Sequence, residues 1–370
     1  MSSPSPRDSF EICIICALPL EANSVKALFE SDDGGVGSVG KAAGDTNSYS
    51  TGKIGNHNVV LVHMHDMGKV PAAAVAVNVK KSFENIRLAL VVGICGGVPG
   101  KGPDGVMLGD VIVGKQVVHY DFGREYETGF VMKDGPEDGL GRQVAEIRGF
   151  IRKLEAGKEA LGEKLAEYLT PVLQSWNPEK LSSLEDILYP SDYWHVHQAG
   201  TGSCVGTRCQ NLREVCEVAL KASCEELGCE RDDIIRSSEA RASPSIFFGR
   251  VASGDKVMRS ATVRDKIAQR EDVIGFDMEA AGVWDYLPCI LIKGVCDYSD
   301  SHKNKSWQEY AAVSAAAFTK ALLEQWTQSD QPSTETEKKR GGGTYFNNNN
   351  SKIGNQAKTM TFSGNTTFSF

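Results

Sequence analysis

The chain has 370 residues, 41% of them apolar, which is material for one large α/β domain or two ordinary ones around a sizeable core. Its net charge of −8 argues against general nucleic-acid affinity. No apolar run reaches the ~18 residues that a membrane span needs, and the opening MSSPSPRDSFE lacks the basic-then-apolar order of a secretory signal, so a cytoplasmic setting without membrane partners is expected.

Short β-branched runs alternate with helical patterns through the first part of the chain. ICIICAL (12–18) leads into a helix carrying Val25, Leu28 and Phe29, and NVVLVHM (58–64) precedes the small-residue helix VPAAAVAVNVKKSF. LALVVGICGG (88–97) ends in glycines, and DVIVGKQVVHY (110–120) follows the turn LGD. Runs this continuous are how strands buried on both faces read. They predict a three-layer α/β/α core with a mostly parallel, mixed central sheet. Several of the ten cysteines sit in such runs and act as small hydrophobes. Cys13 and Cys16 form a CxxC, but inside an apolar run and without a second CxxC to complete a zinc site, so they read as core packing.

From Arg142 to Leu173 apolar residues recur at 144, 147, 151, 154, 161, 165, 169 and 172, a helical stripe with charges on the other face. WNPEKLSSLEDILYPSDYW and a Cys-bearing helix, NLREVCEVALKASCEELG, follow, so residues 125–243 read as a helical insertion in the core. The core pattern resumes at IFFGRVASGDKV (246–257), VIGFDMEAAGVWDYL (273–287) and CILIKGVCD (289–297), and closes with the Ala-rich helix WQEYAAVSAAAFTKALLEQW, which bounds the domain at 10–326. Residues 327–340 have the polar, charged composition of a disordered linker. Residues 341–370 are rich in Asn, Gly, Thr and Phe and almost free of charge, and KTMTFS alternates like a strand, a composition that fits either cross-β stacking or a disordered tail.

Three carboxylates follow apolar runs: Glu21 after IICALPL, Glu279 after IGFDM and Asp297 after LIKGVC. Ligands of an open α/β sheet bind beyond the carboxyl ends of its strands, so acids delivered there are candidates for chemistry. The plainer alternative is that each caps the helix after it. The glycine turns nearby favour a site.

The order CALPLEA (16–22), MGKVPAAA (67–74), VVGICGGV (91–98), LGDVIV (108–113), ASGDKV (252–257), GFDMEAAG (275–282) and GVCDYSDSHKNKSWQEYAA (294–312) resembles the nucleoside phosphorylase and nucleosidase superfamily. It is similar to the fungal branch, whose domains form effector ends of immune-receptor-like proteins. The resemblance implies a phosphorylase/hydrolase-like fold that cleaves the N-glycosidic bond of purine nucleosides, with adenine nucleotides such as ATP as further candidates. It also implies roles: Asp297 donating a proton or hydrogen bond to purine N7, which calls for burial or a nearby acid to raise its pKa. Glu279 would accept from the ribose hydroxyls, with Met278 under the sugar. Gly93, Cys95 and Gly96 would let backbone approach base and sugar.

The nucleophile separates hydrolysis from phosphorolysis. Phosphorylases of the superfamily carry a glycine turn with an arginine after the first strand, whereas here ALPLEAN has none and Glu21 falls where nucleosidases keep the glutamate that positions water. A carboxylate repels phosphate and suits water, so hydrolysis is the expectation. Arg250 and Lys69 keep a phosphate-dependent phosphorylase open as the alternative. Val257 falls where relatives place an aromatic against the base, which leaves Phe276, Phe247 or Phe248 to stack, unless these belong to the core. Asp277 replaces the glutamate usual before the Met-Glu pair. Asp300 and His302 are second-rank candidates to tune Asp297; His302 and Lys303 to Lys305 could form a lid or phosphate contact, but read first as a solvated turn. Asp, Glu and His do not cluster at ligand spacing in the sequence, so no metal or cofactor is implied.

Residues 341–370 resemble the short amyloid signalling motifs of fungal immune effectors, which implies a templating receptor as partner. Relatives complete their sites across a dimer interface, which implies a homo-oligomer. A reading of another class is a non-catalytic nucleoside-sensing module assembled through its tail.

Overall fold

Strands form where β-branched apolar residues run together, and the chain folds accordingly. A computed structural model describes residues 6–30, 39–100, 105–133, 135, 137–197, 216–239 and 243–327. The chain divides into two units, Met1–Trp326 and Thr327–Phe370, and every element below belongs to the first. The expectations for 341–370 lie outside the described residues.

The strands are β1 (Ile12–Cys16), β2 (Ser48–Ile54), β3 (His57–His63), β4 (Leu88–Gly97), β5 (Val111–His119), the hairpin of β6 (Gly123–Tyr126) and β7 (Gly129–Met132), the pair of β8 (Glu185–Leu188) and β9 (Arg236–Glu239), then β10 (Ile246–Ser253), β11 (Val273–Asp277) and β12 (Cys289–Asp297). The helices are α1 (Pro19–Lys26), α2 (Lys69–Ser82), α3 (Ala145–Ala156), α4 (Lys158–Gln174), α5 (Pro178–Ser182), α6 (Cys224–Leu227), α7 (Ala261–Glu271), α8 (Ala280–Val283) and α9 (Gln308–Leu323).

Eight strands make one mixed sheet in the order β11-β10-β5-β12-β4-β1-β3-β2. β1 runs parallel to β3 and β4, β12 parallel to β4, and β10 parallel to β5 and β11. β12 meets β5 antiparallel, and there the sheet reverses direction. β11 then returns to pair antiparallel with β4, Gly275 opposite Gly97 and Phe276 opposite Gly96. An open sheet is therefore not what carries the site: β4, β11, β10, β5 and β12 close on one another as a ring. Glycines at the closing contact remove the side chains that would hold two backbones apart.

Side-chain alternation along β12 assigns the helical layers. A side chain at Gly294 would lie 1.9 Å from the Ala311 carbonyl of α9, whereas its neighbour Lys293 points to Glu279 at the start of α8. α9 and α8 thus cover opposite faces, which gives the three layers. β2 is the strand that apolar patterning does not reveal: SYSTGKI is polar, and it forms an edge bonded to β3 alone.

The stripe at 144–172 folds as α3 and α4, divided at Gly157, and buries Ile147, Phe150, Ile151, Leu154, Leu161, Leu165, Leu169 and Leu173. Val144 and Val172 point outward instead. The Cys-bearing helix does not form as one piece. Residues 211–215 lie outside the described residues, 217–221 are turns, and only α6 is helical, stopped by Gly228 in the left-handed conformation. Between β5 and β10, residues 123–239 add no described strand to the main sheet. Among the described residues no helix is long and apolar enough to cross a membrane.

Candidate active site

A cavity of about 210 Å³ opens where β1 and β4 end and β11 crosses β4. Glu21, Cys95, Gly96, Val257, Phe276, Asp277, Met278 and Glu279 all line it, with Ile94, Ser299 and Lys303. Gly93 and Asp297 do not line it, but Gly93 backs onto Glu21 and Asp297 pairs in register with Gly96.

Glu21 is placed by the turn from β1 into α1. Its Oε2 accepts from Ala17 N at 2.9 Å and Leu18 N at 2.8 Å, which satisfies donors at the α1 N-terminus. Its Oε1 accepts from Ile94 N at 2.8 Å, reaching across to β4. One oxygen thus makes the capping contacts and the other reaches the strand that walls the cavity. The approach requires Gly93, since a Cβ there would fall 2.2 Å from Oε1. Burial raises the Glu21 pKa despite the opposing pull of Lys293 and of the Ile94 and Leu18 amides.

Lys293 is the residue that motif reasoning missed. It is 1% exposed in the middle of β12, with Nζ 3.1 Å from Glu279 Oε2 and 3.3 Å from Asp277 Oδ2. Burial would lower its pKa, but Glu279, Asp277 and Glu21 together raise it, so the ammonium persists. Asp277 in turn has its carboxyl raised, chiefly by burial and against the field of Lys293. The shorter side chain at 277 still reaches this lysine, and its Oδ2 accepts from Ala280 N at 3.1 Å. Glu279 sits at the N-cap of α8 without capping it, since no side-chain cap bond forms. The signal in the sequence was LIKGVC: a lysine inside an apolar strand must meet acids or pay heavily for desolvation.

Asp297 is buried at 4% exposure, in register with Gly96. Its Oδ1 accepts from Ser299 N at 2.8 Å and its Oδ2 from Cys296 Sγ at 3.2 Å. Lys303 Nζ lies 2.8 Å from Oδ2. Burial of this acid is as expected; Lys303 pairs with it, and Asp300 is close enough to interact with it electrostatically. The solvated-turn reading of Lys303 to Lys305 therefore fails at Lys303 and holds at the exposed Lys305. Asp300 accepts from His302 N at 3.0 Å, and the His302 ring stacks on Tyr189, so neither side chain is seen to bond Asp297.

Around the cavity, Phe276 is buried edge-on to Tyr120, and Val257 is half exposed. Phe247 and Phe248 pack against the main core instead. Lys69 bonds Asp121 Oδ1 at 2.5 Å and lies 3.6 Å from Asp255 Oδ2, beside His119. Arg250 bonds the Glu271 carbonyl and lies 3.7 Å from the Glu271 carboxylate. Cys13 and Cys16 are free thiols buried in the core.

Comparison with known proteins agrees with this architecture. Residues 11–161 match the family model described as Phosphorylase superfamily. A nucleotide-binding leucine-rich repeat (NLR)-like protein of Hyaloscypha variabilis is 30% identical over 332 residues, covering 85% of this chain and 29% of that protein. The chain thus spans less than a third of that relative. Among solved structures, futalosine hydrolase of Helicobacter pylori superposes with a TM-score of 0.50 at 15% identity, covering 86% of this chain and 99% of that one. The 5′-methylthioadenosine/S-adenosyl homocysteine nucleosidase of the same organism gives 0.51 at 14% identity and the same coverage. The corresponding nucleosidase of Colwellia psychrerythraea, in complex with adenine, gives 0.50 at 15%, covering 86% and 96%. At such identities the likeness is one of fold.

Proposed function

We propose that this chain, a phosphorylase-superfamily protein over residues 11–161, hydrolyses the N-glycosidic bond of purine nucleosides. The observation that carries the reading is one cavity lined by Glu21 and Glu279, with Asp297 in register with Gly96 of its lining. Cleavage builds positive charge on the ribose and negative charge on the base. Glu279, held by Lys293, accepts from the ribose hydroxyls and sets negative charge near the developing oxocarbenium ion. Asp297 gives a proton or hydrogen bond to N7, its orientation fixed beforehand by Ser299 N and Lys303. Glu21 orients and deprotonates the attacking water. Met278 lies under the sugar, Phe276 and Val257 face the base, and Gly96 and Cys95 bring backbone to the ligand.

Hydrolysis is favoured over phosphorolysis because Glu21 lines the cavity, whereas Lys69 and Arg250 do not line it and are engaged by carboxylates. The adenine and methylthioadenosine named with the structural neighbours support a purine substrate. The NLR-like relative supports an effector role, in which residues 10–326 form the enzyme, 327–340 a linker, and 341–370 an amyloid motif templated by a receptor. Self-association of two copies is part of the same proposal, and the exposed apolar residues Met67, which lines the cavity, and Val70, on the helix after it, suit such a face. Purified protein should release free base from adenosine, inosine, guanosine or ATP at a rate independent of phosphate. Tight nucleoside binding without turnover would favour the sensing module instead.

A further inference from the structure

The fold assembles a second group of chemistry-bearing side chains that lies far apart in sequence and plays no part in the cavity. His195 comes from the loop after β8, Cys224 and Cys229 from either end of α6 and its stop, and His302 from the loop after β12. Ligand atoms of His195, Cys229 and His302 all lie within 4.8 Å of one another. His195 Nδ1 is 3.6 Å from Cys224 Sγ and 3.6 Å from Cys229 Sγ.

We propose that His195, Cys224, Cys229 and His302 form a structural zinc site that ties the insertion to the loop carrying Lys303. Bonds of about 2.3 Å to sulfur and about 2.05 Å to nitrogen at the tetrahedral angle set S and N about 3.6 Å apart. The separations of His195 Nδ1 from the Cys224 and Cys229 sulfurs already have that value, so Cys224 joins the cluster of His195, Cys229 and His302 through its contact with His195. Cys224 and Cys229 stand at a C-x4-C spacing, within the range for zinc ligands. Gly228, with φ of 70°, turns the chain after α6, and Cys229 N donates to the Cys224 carbonyl at 2.8 Å, so the two cysteines share one turn.

Two further observations point to a ligand. His195 Nε2 meets the Ala222 carbonyl at 2.9 Å. That bond fixes the proton on Nε2 and leaves Nδ1 as a lone pair facing both sulfurs, the usual arrangement of a zinc-bound histidine and its outer hydrogen bond. His302 Nε2 is buried with no hydrogen-bond partner, a cost that a metal bond would remove. Tyr189 stacks on the His302 ring at 4.1 Å and fixes its plane. Two thiolates and two imidazoles make a closed, four-coordinate set with no open position, which is a structural rather than a catalytic centre. Sequence spacing hid the cluster because its histidines lie on either side of the cysteines at long range.

The test uses the full chain, purified after growth with zinc and dialysed against metal-free buffer, with metal content read by plasma mass spectrometry. The expected result is about one zinc per chain, falling at least fivefold in Cys224→Ser/Cys229→Ser and in His302→Ala. Replacement of zinc by cobalt(II) in the wild-type chain should give the intense visible bands of a tetrahedral thiolate complex, a readout that does not depend on a variant folding. Metal-free wild-type protein that takes up neither zinc nor cobalt would overturn the proposal. So would undiminished zinc in both variants, or peptide mapping that finds Cys224 and Cys229 joined as a disulfide in freshly purified protein.

Discussion

Lys293 Nζ stands 3.1 Å from Glu279 Oε2, and both side chains are buried. This ammonium is the counter-charge that lets Glu21, Asp277 and Glu279 share one region of low dielectric. Removing it as Lys293→Met leaves those acids without compensation, and loss of one partner of a buried pair costs about 3–5 kcal/mol. Denaturant midpoints should drop accordingly, and the Michaelis constant for nucleoside should rise as Glu279 loses its anchor. An unchanged midpoint would mean that the acids are held protonated without Lys293.

Gly93→Ala tests the placement of Glu21 without touching its chemistry. The added methyl would sit 2.2 Å from Oε1 and 2.5 Å from Cδ, so the carboxylate must move off β4. A displacement of that order costs about 100-fold in kcat when the displaced group acts on the reacting atoms. Far-ultraviolet circular dichroism should be unchanged. A kcat within a few-fold of wild type would remove Glu21 from the water site.

The raised pKa of Glu21 fixes a sign for pH dependence. As a base it must be ionised, so kcat/KM should fall on the acid side with a limb above the ordinary glutamate value of 4.5. For stability the direction is opposite. The fold favours the protonated carboxyl, so its contribution is complete below 4.5 and is lost as pH rises through the higher folded value. Glu21→Gln should flatten the stability profile in that window. An acid limb at or below 4.5 would contradict the burial argument.

Asp297→Asn keeps the acceptor for Ser299 N but loses the pair with Lys303. Loss of a general acid costs typically about 100- to 10,000-fold. The deficit should shrink with a riboside whose leaving group needs no proton, such as a nitrophenyl riboside. Equal losses on both substrates would assign Asp297 to scaffolding.

Most of this framework is legible in the sequence, because strands buried on both faces leave continuous apolar runs and the motifs GFDMEAAG and CALPLEA mark their ends. The ring of strands is not legible. It depends on β11 returning to β4 through Gly275 and Gly97, and nothing in either run announces its partner. Lys293 was present as an anomaly in an apolar strand, but its partners lie in other elements and only folding shows them. Lys303 looked like part of a polar turn, since its carboxylate, Asp297, belongs to the strand before it. The edge strand β2 carries no apolar run at all, because one side of its ladder faces no other strand.

In the proposed reaction, water positioned by Glu21 attacks the anomeric carbon. Turnover of adenosine, inosine and guanosine in heavy-oxygen water with phosphate present tests it most directly, with the sugar product read by mass spectrometry. Hydrolysis should give free ribose carrying one heavy oxygen at the anomeric carbon, and none should form with Glu21→Gln. Ribose 1-phosphate without the label would contradict it.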